Sequence, residues 1–139
     1  MYGSERRMTI FIEHELTGFL RQFFSFASVG VCGTALHYAI LISLVDFAKL
    51  NPLVASAIGA TAGALFNYLM NYTFTFKSRR KHRVAMTRFF AVAVSGLVLN
   101  TAIMATGIET LHLHNLFSQI LATVLVLFWN FVGSRFWAF

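Results

Sequence analysis

Apolar residues run through most of this chain in four long stretches, approximately 23–45, 53–75, 89–108 and 116–137, separated by short groups of charged and turn-forming residues. At roughly 1.5 Å per residue each stretch is long enough to cross about 30 Å of hydrocarbon as a helix. Asp46, Lys49, Asn51 and Pro52 break the first from the second, and Glu109, His112, His114 and Asn115 break the third from the fourth. Asn51 is placed to cap the second helix with Pro52 in its first turn. Both breaks are short, so each pair of stretches is expected to form a helical hairpin.

Ahead of the first stretch, Ile12, Leu16, Phe19, Leu20 and Phe23 recur at helical spacing, while Glu13, His14 and Glu15 fall on another face. This predicts helix over residues 8–22, either as an amphipathic segment on the membrane surface or as a plain extension of the first span. The expected organisation is an N-terminal segment 1–22, a first two-helix repeat 23–76, a basic connection 77–88 and a second repeat 89–139. Glu5, Glu13 and Glu15 leave no uninterrupted apolar core for a cleavable signal peptide, so the first span is expected to act as its own insertion signal.

The composition fits lipid as the main solvent. Of 139 residues 58% are hydrophobic and 12% charged, with 16 Phe, one Pro and a mean hydropathy of +0.69. Continuously apolar runs point to an all-α membrane protein, because a β-barrel needs strands of alternating polarity. The lone Cys32 permits no intramolecular disulfide and is expected to be a small packing residue.

The net charge of +6 changes the picture only through its distribution. Arg6, Arg7 and Arg21 precede the first span, Lys77, Arg79, Arg80, Lys81, Arg83 and Arg88 lie between the second and third, and Arg135 ends the fourth; only Lys49 of the 11 basic residues lies on the other side. By the positive-inside rule both termini and the middle connection are expected to be cytoplasmic. The basic "KSRRKHR" is therefore a topology signal, and no nucleic-acid partner is expected.

Shifting the chain by 63 positions pairs Phe26 with Phe89, Gly33 with Gly96, Asp46 with Glu109, Asn67 with Asn130 and Phe76 with Phe139. A competing shift of 66 pairs Gly30 with Gly96 and leaves the register of the first span open. Two spans per repeat send the second copy into the membrane in the same direction as the first, so the halves are expected to be parallel repeats. Alternating access would then require oligomerisation or lateral opening.

Polar groups interrupt every span. Asn67 lies roughly 15 Å from the cytoplasmic charges and Asn71 about one turn shallower. His37, Asn100 and Asn130 occupy the other three spans. Amides of this kind commonly join helices, at about 0.6 kcal/mol each; one set on every span also suits a shared polar cleft. His37 is the ionisable candidate for a proton relay. Ala55, Gly59 and Gly63 repeat every four residues and predict a close-packed helix face. Tyr72, Phe74, Phe76, Phe136, Trp137 and Phe139 read as an interfacial aromatic belt, within which Arg135 can anchor or grip a phosphate.

The two endings "NYLMNYTFTF" (67–76) and "NFVGSRFWAF" (130–139), the Gly30-x-x-x-Thr34 and Gly96-x-x-x-Asn100 spacings and the Arg88-Phe89-Phe90 opening resemble the GtrA-like family over about residues 20–139. The resemblance implies a bacterial inner-membrane protein that flips a polyprenyl-phosphate-linked sugar from the cytoplasmic to the periplasmic leaflet for cell-surface polysaccharide modification. Asn67, Asn71, Asn100, Asn130, Arg88 and Arg135 become the candidate binding residues, and Tyr72 replaces the usual arginine in the first copy. No nucleophile paired with a base, metal-ligand cluster or phosphate-binding glycine loop can be read in the chain, so no enzyme, metal or cofactor is expected; four spans make a thin wall for a polar cleft, so a homo-oligomer is expected, with membrane lipids and a membrane glycosyltransferase as further partners. A non-transporting scaffold for such a glycosyltransferase is the alternative. A small multidrug/proton antiporter fits less well, since Asp46 and Glu109 lie at span ends.

Overall fold

The computed structural model describes residues 2–110 and 114–139. Four α-helices follow one another: α1 (Tyr2–Asp46), α2 (Pro52–Met70), α3 (His82–Ala105) and α4 (Asn115–Gly133). Five-residue π-helical turns extend three of them, at Asn71–Thr75 after α2, Thr106–Thr110 after α3 and Ser134–Ala138 after α4. Four helical stretches, Arg7–Asp46, Pro52–Thr75, His82–Glu109 and Asn115–Ala138, are long and apolar enough to cross a membrane. The chain is a multi-pass, all-helical membrane protein.

Two compact units divide it, residues 1–75 and 76–139. In the first, α1 packs along α2; in the second, α3 packs along α4. Each unit is therefore a helical hairpin. Large apolar side chains such as Val31, Leu53, Val94 and Leu97 remain exposed, which suits helices whose outer surface meets lipid.

Helix boundaries follow local chemistry where polar side chains can act. The Asn51 side-chain oxygen accepts from Leu53 N at 2.9 Å, with Pro52 in the first turn, as its position predicts. His114 does the same for α4, its Nδ1 accepting from Leu116 N at 3.3 Å; His112 lies outside the described residues. Lys49 (φ 54°) and Lys77 (φ 48°) take left-handed backbone conformations where α1 and the first π-turn end, positions that glycine occupies at lower cost.

Two boundaries differ from the hydropathy reading. α1 runs without a break from Tyr2 to Asp46, so residues 8–22 continue the first span's helix. Its 45 residues extend about 67 Å at 1.5 Å each, more than twice the hydrocarbon thickness. α3 begins at His82, which puts Arg83 and Arg88 on a helix instead of in the connection. Hydropathy marks where hydrocarbon ends; helical hydrogen bonding continues past it where no proline stops it, and α1 runs through Gly18 unbroken. Cys32 lies exposed on α1 instead of packing inside, because the packed seam runs through Phe26 and Gly33.

Replacing Asn51 with Ala removes the α2 cap and is expected to cost about 1 kcal/mol. Replacing Lys49 with Gly relieves the positive φ and is expected to raise stability by about 0.5–1 kcal/mol. Thermal melts in one detergent should move in opposite directions for the two variants.

Candidate functional site

Inside the first hairpin the small residues do what their spacing predicts. A methyl group added at Gly59 would meet the His37 carbonyl oxygen at 2.6 Å, and one at Gly63 would meet the Gly33 carbonyl oxygen at the same distance. Ala55, Gly59 and Gly63 thus form the α1–α2 contact of one chain, where backbone approaches backbone. One helical turn further along, the Asn67 amide lies across Gly33, its oxygen nearest the position a Cβ would take.

The second hairpin repeats this arrangement. The Asn130 amide lies across Gly96, again with its oxygen nearest. Buried positions correspond at the shift of 63: Phe26 with Phe89, Gly33 with Gly96, Ala55 with Ser118, Gly59 with Ala122, Tyr68 with Phe131, Asn71 with Ser134 and Thr75 with Ala138. The π-turns Asn71–Thr75 and Ser134–Ala138 correspond too. Paired contacts thus select 63 over 66, since Gly30 has nothing within 4 Å of an added methyl.

Several polar atoms in these seams are sealed from solvent with no hydrogen-bond partner: His37 Nε2, Asn67 Oδ1 and Asn71 Oδ1 in the first hairpin, Ser118 Oγ, Asn130 Oδ1 and Ser134 Oγ in the second. Leaving such an atom unpaired costs about 1–3 kcal/mol. For three of them a glycine faces the oxygen, namely Gly33, Gly96 and, for Ser118 Oγ, Gly107. A glycine Cα–H takes the direction of the missing Cβ, so each oxygen rests on a weak donor worth about 0.5–1 kcal/mol. Asn71 turns its Nδ2 to the Asn67 carbonyl at 2.9 Å.

At the shift of 63 His37 matches Asn100, a pairing visible in the sequence once the register is fixed. Both are half-buried. The His37 ring stacks on Tyr38 with centroids 5.2 Å apart. Two open hollows along α3, about 260 and 460 Å³, are lined mainly by apolar residues and exclude Asn100 and Asn130.

The ends that carry the candidate cations are chemically unequal. In the second hairpin Arg88 Nη1 donates to the Trp137 carbonyl at 3.0 Å and its guanidinium lies 5.4 Å from that ring's centre. Arg80 Nε and Ser78 Oγ both donate to the Phe139 carbonyl, at 3.1 and 3.3 Å. Phe139 stacks on Phe76 at 5.1 Å and tilts against Phe89 at 5.6 Å. The Arg135 guanidinium lies 5.5 Å from the Phe136 ring centre. Arg88 is therefore brought to the turn that carries Arg135, while also capping one of its carbonyls. In the first hairpin the matching positions are Ser25 and Tyr72, and Ser25 and Thr75 share a hydroxyl hydrogen bond of 2.9 Å.

Sequence reasoning missed the capping by Arg80 and Ser78 and all three π-turns. Among the described residues no group of three or more His, Cys, Asp or Glu could hold a metal ion.

A duplicated helical hairpin, with an amide seated inside each copy and arginines at the end of one, defines a small multi-pass membrane protein built for polar contact within an apolar frame. The GtrA/DPMS transmembrane-domain family model matches residues 25–139, and the chain belongs to that family. No curated protein matches it in sequence.

Replacing Gly33 or Gly96 with Ala should force the seated amide aside and destabilise the hairpin by about 1–3 kcal/mol. Gly30→Ala, with open space around it, should be neutral or stabilising by up to about 1 kcal/mol. Thermal melts of the three variants check this; equal losses would remove the seat from the account.

Proposed function

We propose that the protein moves a polyprenyl-phosphate-linked sugar from the cytoplasmic to the periplasmic leaflet of a bacterial inner membrane, with both termini cytoplasmic. The observation that carries this reading is the repeat-matched placement of polar groups inside both hairpins, His37, Asn67 and Asn71 in one and Asn100, Asn130 and Ser134 in the other. A membrane anchor needs no such groups, and each costs free energy in an apolar frame. Family membership over residues 25–139 supports the same reading.

A lipid-phosphate head asks for cations at the interface, polar groups at depth and access for the tail from lipid. Arg135 and Arg88 supply the first in the second hairpin, and the asparagines supply the second. The tail stays in lipid throughout, so the protein lowers the barrier for the head alone and needs no chemical step, metal or cofactor. Two hairpins make a thin wall for such a head, which is why a homo-oligomer belongs to the proposal. His37 is available to relay a proton.

A scaffold for a polyprenyl-phosphate glycosyltransferase is the second reading. The exposed Lys77, Arg79, Lys81 and Arg83 favour it, since they form a basic edge suited to an acidic partner or anionic lipid.

Reconstitution into liposomes with a labelled polyprenyl-phosphate hexose separates the two. Accelerated exchange between leaflets over empty liposomes is expected, and Arg135→Ala should weaken binding of the lipid about tenfold or more, the scale of one charge-assisted contact. Folded protein that gives no acceleration with several sugars would leave the scaffold reading standing.

A further inference from the structure

We infer that the amide nitrogens of Asn67 and Asn130 are ligand donors, one in each hairpin, and that each hairpin holds one lipid-linked head by its hydrogen-bond-accepting oxygens. The inference rests on the proposed function for the kind of lipid, and adds which atoms recognise it and how many are held.

The orientation of the two amides carries it. In both, the oxygen is sealed against a glycine while the residue as a whole stays partly exposed. Nδ2 is not among the sealed atoms, and among the described residues it has no hydrogen-bond partner. An amide used only to join helices would turn its strong N–H donors to an acceptor on the facing helix. Instead the weak Cα–H donor of glycine takes the oxygen, and two strong donors per amide are left over. The same choice is made twice, at positions related by the repeat, with a π-turn following each; such turns recur where function demands an irregular helix.

What fits these donors is an acceptor oxygen, charged or neutral. A phosphate oxygen and a sugar hydroxyl both qualify, and both belong to the proposed head. A hydrocarbon tail does not. Because each hairpin contains its own glycine, amide and π-turn, neither needs the other to present its donors, and the chain should take two ligands.

The test is binding of polyprenyl-phosphate hexose and of polyprenyl phosphate to the full chain in lipid nanodiscs, with the saturating number per chain counted. Wild type should take two, Asn67→Leu one, Asn130→Leu one and the double variant none. Asn67→Ala and Asn130→Ala, which remove the donors and leave room, should do likewise if Leu prevents folding. Loss confined to the hexose-bearing lipid makes a sugar hydroxyl the acceptor; loss with both makes it the phosphate. Wild-type binding by the folded double variant overturns the inference, as does wild type that binds neither lipid. Amide-dependent binding without leaflet exchange upholds it and overturns the transport reading; exchange with amide-independent binding does the reverse.

Discussion

Each hairpin depends on one contact, an asparagine oxygen resting on the Cα of a glycine in the facing helix. In lipid there is little hydrophobic gain from bringing two helices together, because tails are as apolar as leucine. Close approach must be won through van der Waals contact and polar pairing. Gly33 allows α2 near enough for the Asn67 amide to lie across it, and Gly96 does the same for Asn130. The surrounding small residues follow from that distance: with Gly59 and Gly63 set against the carbonyls of His37 and Gly33, any side chain there would hold the helices apart.

On this common frame the two hairpins carry different chemistry. The position of Arg88 is Ser25 in the first copy, and that of Arg135 is Tyr72. One hairpin thus closes its end with neutral hydroxyls, the other with guanidiniums against backbone carbonyls. At depth the imbalance reverses, since the first has the imidazole of His37 where the second has the amide of Asn100. Duplication preserved the seat and let the periphery diverge.

The spans, their pairing and the repeat were legible in the sequence because each leaves a signal in polarity alone: runs of apolar residues, the Asn51-Pro52 cap, and glycine and asparagine recurring at one shift. The α1–α2 face of Ala55, Gly59 and Gly63 was legible for the same reason. The π-turns were not, because a change from i+4 to i+5 hydrogen bonding alters no side-chain pattern; Asn71–Thr75 reads as ordinary helix end. The start of α3 was misplaced because charge marks the membrane's edge and helices cross it. For the candidate site, identity was legible and orientation was not. Asn67 and Asn130 stand out as amides in apolar runs, but which end of each faces glycine is decided by the neighbouring backbone.

Arg88 shows the limit of reading a site from residue type. An arginine beside an aromatic end suggests a phosphate grip, yet its Nη1 is engaged with the Trp137 carbonyl and its plane with the Trp137 ring. Guanidinium carries five N–H donors, so capping one carbonyl leaves capacity for an anion. The two uses are compatible, and together they fix position: held by Trp137, the charge stays at the turn that bears Arg135 instead of sweeping through the headgroups on a flexible stem. A cation held in place loses less conformational entropy on meeting an anion than one that must be ordered first. In the second hairpin the side chain that caps the end of α4 therefore also keeps its remaining donors and its charge beside that turn.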